Sequence, residues 1–437
     1  MEKYFQVLGN KIILRIGIPV FFTPGEGGGI EIYACNIISQ LQKIDRKNEY
    51  FLFCSTLNES IFPIVNKNFK KVLMWWPGKK NESMVIVRTG LSRALLTFTE
   101  KVYKRISTTM EENKYLKNIK NYIKWIYDFS ISTESLKSSE YNMLHFMFTI
   151  IPPPWIEKDH NVPIILTVHD IQQEYFPEFF SNEVLDFRRR FYRASVEKAN
   201  HIIAISNYTK KTLIEKYAVP EDKISVIHNG YNNNIFKKLS GRVIEEIQKK
   251  YDLPRSFLFY PAASWPHKNH IILLRAYKIL KMKYNFKDKL IFTGIRKENH
   301  EAIEKEIDRL SLTNSVIHLG YLPYQDLPAL YNIARLMVYP SLFEGFGMPI
   351  IEAMATGLPV TCSNTTSLPE IAGDAALFFD PNDPDDIAKT VIRLYYNKEL
   401  RSTLIRKGLE RAKFFTWENT AAKTLKVYEN VYKNFYG

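Results

Sequence analysis

The amino-acid sequence predicts an α/β protein made of two doubly wound, Rossmann-like domains facing each other across a cleft. Short runs rich in β-branched and aromatic residues alternate with segments of helical periodicity, the pattern of parallel-sheet βα units. The 437 residues suffice for two domains, each of roughly 200 residues and able to bury its own core. In chain order, the strand candidates of the first half fall at residues 11–20, 50–54, 71–74, 143–148, 164–168, 201–205 and 225–227. Those of the second half fall at 257–260, 289–292, 316–319, 336–339, 359–362 and 376–379. The crossover lies near residues 230–238, which gives an N-terminal domain over 1–232 and a C-terminal domain over 233–415. The remainder, 416–437, reads as an amphipathic helix with Trp417, Ala421, Leu425, Tyr428 and Tyr432 on one side. Sheets of this kind bind ligands beyond the carboxyl ends of their strands, so chemistry is expected in the loops there.

The composition, 46% apolar and 24% charged, is that of a globular chain. Cys35, Cys54 and Cys362 are too few and too scattered for a disulfide framework or a zinc site, which points to a reducing compartment. No N-terminal stretch reads as a signal peptide. The longest apolar run, 143–151, is far short of the ~20 residues that span a bilayer. A cytoplasmic protein is therefore expected. The net charge of +14 is concentrated in one place, since residues 67–128 carry fourteen Lys/Arg against five Asp/Glu. The same segment holds Trp75, Trp76 and two helically spaced apolar sets, Leu91, Leu95, Phe98 and Val102, then Tyr115, Ile119, Tyr122 and Ile123. These basic amphipathic stretches suit either peripheral contact with the inner face of an anionic membrane or the solvated side of helices that cap a sheet. No nucleic-acid-binding module accompanies the charge.

The most telling stretch is Glu344-Gly345-Phe346-Gly347-Met348-Pro349-Ile350-Ile351-Glu352. A short buried strand is expected just before it, and Pro349 suits the first turn of a helix. A strand, a small-residue turn and a helix start gather free backbone N–H groups and a helix dipole at one spot, which suits an anion. Two carboxylates bordering that spot are poor phosphate ligands but good acceptors for sugar hydroxyls. The combination fits a nucleoside diphosphate joined to a sugar. Lys268 follows the strand at 257–260 and can reach across the strand ends as a point charge for phosphate. His169 and Asp170 close the strand at 164–168, with Asp170 suited to a turn or cap. His145 lies near the end of the strand before. The loop 24–29 holds Gly27, Gly28 and Gly29 but fits neither a Walker loop nor the dinucleotide pattern, whose third glycine would be Ile30. Asp383-Pro384-Asp385 spells D-x-D, yet it precedes a helix, where N-capping is the simpler role. Nothing in the sequence requires a metal.

The stretch resembles the E-x7-E signature of retaining glycosyltransferases of family 4 (glycosyl transferases group 1), which have the two-Rossmann-domain GT-B architecture. The resemblance extends through Gly27-Gly28-Gly29, Thr167-Val168-His169-Asp170, Ile227-His228-Asn229-Gly230, Pro266-His267-Lys268-Asn269, Leu319-Gly320-Tyr321-Leu322 and Leu368-Pro369-Glu370-Ile371, in the family's order. It implies a metal-independent hexosyltransferase with no cofactor, using a UDP- or GDP-linked sugar and a carbohydrate or lipid-linked acceptor. By resemblance Glu344 holds hydroxyls of the donor sugar, Glu352 the ribose hydroxyls, and Lys268 with the N–H groups of Gly345, Phe346 and Gly347 the diphosphate. The backbone of Tyr321 and Leu322 meets the base, His169 lies by the transferred sugar, and the Gly28-Gly29 loop borders the cleft. Lys268, Glu344 and His169 are thus the expected catalytic residues. Glu370 is either structural or ribose-adjacent. The final helix, by the same resemblance, crosses back onto the N-terminal domain. One departure stands out: the arginine usual five or six residues before the lysine is replaced by Ala263 and Ala262, leaving His267 and Ser264 as substitute donors. A catalytically weak nucleotide-sugar-binding protein, a GT-B phosphorylase or synthase, and a membrane-associated scaffold are the competing expectations.

Overall fold

A computed structural model describes residues 7–8, 11–20, 22, 28–55, 58–74, 141–152, 155–156 and 161–437. The basic segment beyond residue 74, including Trp75 and Trp76, and loop residues 24–27 lie outside the described residues. After a two-residue antiparallel ribbon, β1 (Val7–Leu8) with β2 (Lys11–Ile12), the chain builds β3 (Arg15–Val20), β4 (Glu49–Ser55), β5 (Phe69–Met74), β6 (Met143–Phe146), β7 (Ile164–Val168), β8 (His201–Ala204) and β9 (Ile224–Val226). These seven pair in the order β5-β4-β3-β6-β7-β8-β9, every pair parallel. The run expected as one strand at 11–20 is broken, because the Leu14 N–H is taken by the Asn48 side chain at 2.9 Å.

The second sheet contains β10 (Phe257–Pro261), β11 (Lys289–Thr293), β12 (Val316–His318), β13 (Leu336–Tyr339), β14 (Val360–Ser363) and β15 (Ala376–Phe379), in the order β12-β11-β10-β13-β14-β15. Its central strands are apolar and fully buried, as parallel strands covered on both faces must be. Strand order reverses between β3 and β6 in one sheet and between β10 and β13 in the other, and such switch points open a crevice at the strand ends.

The helices that matter below are α1 (Gly28–Ile44), α2 (Asn182–Lys198), α3 (Asn207–Tyr217), α4 (Gly241–Lys250), α5 (His270–Tyr284), α6 (His300–Arg309), α7 (Leu327–Ile333), α8 (Met348–Thr356), α9 (Leu368–Ala372), α10 (Pro384–Tyr396), α11 (Lys398–Ala412) and α12 (Trp417–Tyr436). Helix α12 buries Trp417, Ala421, Tyr428 and Val431 in the core of the first sheet with Tyr33, Ile37 and Leu41 of α1. The chain thus passes between the two sheets twice, and the passes are tied together. Tyr231 N–H donates to the Phe415 carbonyl at 3.1 Å, and Thr420 Oγ1 donates to the His228 carbonyl at 2.8 Å. Gly230 permits this approach, since a Cβ there would lie 2.1 Å from the Trp417 nitrogen. Among the described residues no helix is long and apolar enough to cross a membrane.

Candidate active site

The switch point of the second sheet sets the two leading candidates side by side. Lys268 lies in the turn after β10 and Glu344 in the turn after β13, and β10 and β13 are neighbours. Their side chains form an ion pair, with Lys268 Nζ 2.5 Å from Glu344 Oε1. Tyr339 Oη donates to the same oxygen at 2.8 Å. The side chains are only 16% and 12% exposed, so the pair is largely desolvated. Burial by itself would raise the Glu344 carboxyl, but the Lys268 ammonium and the hydrogen bonds to it prevail and hold it below the usual range.

Asn269, the next residue, adopts a left-handed conformation and fastens the lysine turn to the glutamate turn. Its Nδ2 donates to the Pro340 carbonyl at 3.1 Å and to the Pro381 carbonyl at 2.8 Å. The backbone of His267 joins the same seam, its carbonyl accepting from Leu342 N–H at 2.8 Å. The His267 ring is held neutral: burial, then the nearby Lys268 charge, push it down to about 3.

The glycine turn has a marked polarity. The carbonyls of Glu344 and Phe346 each accept from Ser367 Oγ at 2.9 Å, and that of Gly345 accepts from Ser206 Oγ at 2.7 Å. Among the described residues the N–H groups of Gly345, Phe346 and Gly347 make no hydrogen bond. Gly347 takes φ 102° at the N-cap of α8, with Pro349 in the first turn as expected. A turn whose carbonyls are bound to protein and whose N–H groups are free, at the start of a helix, is a ready acceptor for an anion.

Glu352 sits one turn into α8 in a different setting. It is 6% exposed, and the one hydrogen bond to its carboxylate among the described residues comes from Tyr331 Oη of α7, at 2.8 Å. No cation offsets the burial, which pushes its carboxyl up to about 7. Of the expected base-contacting pair, Tyr321 is 70% exposed while Leu322 is buried in the core. Gly28 and Gly29 open α1 with exposed backbone, and Gly28 takes φ 53°. Ala262 is buried, and Ser264 is occupied by the loop after β11, accepting from Lys297 N–H at 2.5 Å.

The N-terminal domain meets the glycine turn directly. A Cβ on Gly345 would lie 2.0 Å from the His169 carbonyl oxygen. His169 is buried, its Nε2 lying 2.9 Å from the Met147 carbonyl and its ring standing edge-on to Tyr33 at 5.0 Å. Burial lowers its pKa, so the ring is neutral near pH 7. Phe343 completes the contact, with its ring 5.7 Å from Tyr175 and Tyr208 and 6.0 Å from Phe176.

Glu370 has a structural place between the domains. It accepts from the Asn207 N–H at 2.8 Å and the Tyr208 N–H at 3.1 Å, capping α3, and lies 2.6 Å from His228 Nε2. His145 is a satisfied core histidine, bound to Tyr428 Oη at 2.7 Å and Thr167 Oγ1 at 2.8 Å. Asp170 accepts from Gln172 N–H at 3.1 Å as a turn residue, and Asp383 caps α10 through the N–H groups of Asp385 and Asp386. Sequence reasoning did not find Tyr331, Tyr339, Ser206 or Ser367. None belongs to a motif, and each becomes a partner only once the fold closes. A separate polar cavity of about 240 Å³ lies beside the domain crossing, lined by Asn36, Gln40, Asn232, Asn233 and Trp417 among others.

Comparisons to known proteins bear on the family and the fold. Residues 243–411 match the family described as Glycosyl transferases group 1, and residues 115–234 match Glycosyltransferase Family 4. The chain is 33% identical over 265 residues to O-antigen chain mannosyltransferase B of Escherichia coli, covering 61% of this chain and 70% of that protein. It is 32% identical over 228 residues to O-antigen chain mannosyltransferase RfbU of Salmonella typhimurium, covering 51% and 60%. Among solved structures, HepE of Anabaena in complex with UDP and glucose has the same fold, with a TM-score of 0.64 at 18% identity over 95% of this chain and 100% of that one. The fold is GT-B, and the chain is a glycosyltransferase. It belongs to the group 1 glycosyl transferases, family 4.

Proposed function

We propose that the chain is a retaining hexosyltransferase that moves a sugar from a nucleoside diphosphate donor, UDP- or GDP-linked, to an acceptor hydroxyl in polysaccharide or glycolipid assembly. The two O-antigen chain mannosyltransferase relatives support mannose as the sugar and a saccharide chain as the acceptor. The observation that carries the reading is the pairing of a buried Lys268–Glu344 ion pair with the three free N–H groups of the adjoining glycine turn.

In this reading the diphosphate lies over the turn and against Lys268. As the glycosidic bond breaks, negative charge grows on the leaving diphosphate, and fixed donors there stabilise the transition state more than the ground state. Glu344, already ionised, accepts hydroxyls of the sugar, and Glu352 accepts the ribose diol. His169, neutral at physiological pH, orients a sugar hydroxyl and is not the base. The leaving diphosphate takes the proton of the acceptor hydroxyl. No divalent ion is required, because the ammonium and the N–H groups supply the positive field.

The test is a transfer assay with GDP-mannose, UDP-glucose, UDP-galactose and UDP-N-acetylglucosamine, with and without EDTA, on a lipid-linked saccharide. Acceptor-dependent nucleotide release with one donor, insensitive to EDTA and with the anomeric configuration kept, is expected. Ala262 and Ala263 favour a second reading, a nucleotide-sugar-binding protein of little turnover. That reading wins if donors bind and no acceptor is glycosylated.

A further inference from the structure

We infer that the C-terminal domain carries a transition-metal site built from His300, Glu304 and His318, separate from the Lys268–Glu344 centre. His300 and Glu304 are four residues apart on α6 and therefore share one helix face. His318 ends β12, whose neighbour β11 leads into α6. One ligand atom from each of the three lies within 4.8 Å of the others. Glu304 Oε1 is 3.9 Å from His300 Nε2 and 4.0 Å from His318 Nδ1, and the two rings are 5.1 Å apart. These separations are longer than those between ligands of one bound four-coordinate ion, so both imidazole rings as well as the half-exposed Glu304 must rotate inward to close on a metal.

The decisive observation is that three buried ring nitrogens of the pair make no hydrogen bond of normal geometry. The His318 side chain is only 9% exposed, and neither of its ring nitrogens makes a hydrogen bond among the described residues. His300 Nδ1 is likewise buried and unpartnered. Buried polar atoms left without protein partners are rare and destabilising, and a bound ion or an ordered water satisfies them. The Gly294 backbone adjoins the His318 ring outside normal hydrogen-bond geometry, and it would serve as an outer partner once the other nitrogen is on a metal.

Two imidazoles and a carboxylate, with water filling the remaining position, suit Zn2+ and its neighbours Co2+ and Ni2+ rather than Mg2+ or Ca2+, which prefer oxygen. The location gives the ion a structural task. It would tie the start of α6 to the end of β12, three residues before Tyr321, where Gly294 N–H already holds the Gly320 carbonyl at 2.8 Å. No step of sugar transfer passes through it.

The experiment titrates Co2+ and then Zn2+ into the metal-stripped 437-residue chain. The readouts are visible d–d bands, calorimetric stoichiometry and the melting temperature. The expected result is one ion per chain and no thiolate charge-transfer band, because the three cysteines lie elsewhere. Zn2+ should raise the melting temperature. His300→Gln and His318→Asn should each weaken binding by at least about tenfold and remove the Zn2+ shift. Glu304→Gln, at a half-exposed position that the fold tolerates, provides a variant whose folding is not in question, and it should weaken binding likewise. No binding to the wild type, or binding that persists unchanged in Glu304→Gln, overturns the proposal.

Discussion

The two ends of the E-x7-E stretch hold the same side chain in opposite settings. Glu344 lies in a turn against an ammonium, with Tyr339 donating to it, and is ionised well below neutrality. Glu352, eight residues on, lies inside a helix with a tyrosine and no cation, and titrates near 7. The difference teaches that the first carboxylate is stabilised by the protein itself, whereas the second is left short of donors. In the proposed function, the ribose diol supplies them. The stretch is therefore complete at one end and unfinished at the other.

The largest effect should come from breaking the complete end. Lys268→Ala leaves Glu344 buried and unpaired, which costs about 3–5 kcal/mol of stability, and turnover should fall about a hundredfold or more. Adding Glu344→Gln should recover most of the melting temperature but none of the turnover. Recovery of both in the double variant would mean that the pair is only structural.

The unfinished end should respond in the other direction. The folded pKa of Glu352 is raised to about 7 against an ordinary value of 4.5, so between these limits the native state holds more protons than the unfolded chain. Its contribution to stability is thus present below about 4.5 and lost as pH rises to 7, amounting to about 3 kcal/mol at alkaline pH. Glu352→Gln keeps a partner for Tyr331 and lacks this term. Denaturant melts should show the variant matching wild type near pH 4.5 and exceeding it near pH 8. A gap that does not widen with pH would place an unrecognised donor beside Glu352. The same variant should bind nucleotide more weakly, trading function for stability. Glu344 acts in a separate window: its stabilisation is present above about 4.5 and is lost only as pH falls further.

Smaller effects belong to the contacts that hold the N-terminal domain against this stretch. Glu370→Ala removes the cap on α3 and the His228 contact, and should cost about 1–3 kcal/mol in melts. Gly345→Ala should oppose the contact between the domains, because its Cβ would lie 2.0 Å from the His169 carbonyl oxygen and force the two backbones apart. Nucleotide affinity should persist in that variant while turnover drops, and an unchanged turnover would show that this contact is not part of the working state.

The sequence exposed the complete end better than the unfinished one. Strand ends were legible from apolar runs, so β7, β13 and β15 fall where the pattern puts them. Lys268, Glu344 and the glycine turn were legible because each stands in a motif, Pro266-His267-Lys268-Asn269 or the E-x7-E stretch, in the loop that follows a strand. The polarity of the turn was not, since it depends on Ser206 and Ser367, and Ser206 comes from the other domain. The raised Glu352 depends on Tyr331, 21 residues upstream, with no spacing rule to predict the meeting. Glu370 was ambiguous for the same reason, its partners Asn207 and His228 being 163 and 142 residues away.

The most direct test is calorimetric titration of GDP and UDP into the wild type, Lys268→Ala and Glu352→Gln. The prediction is one nucleotide bound per chain with a clear preference for one base, and at least about tenfold weaker binding in each variant. Equal affinity in all three proteins would contradict a nucleoside diphosphate seated between Lys268 and Glu352.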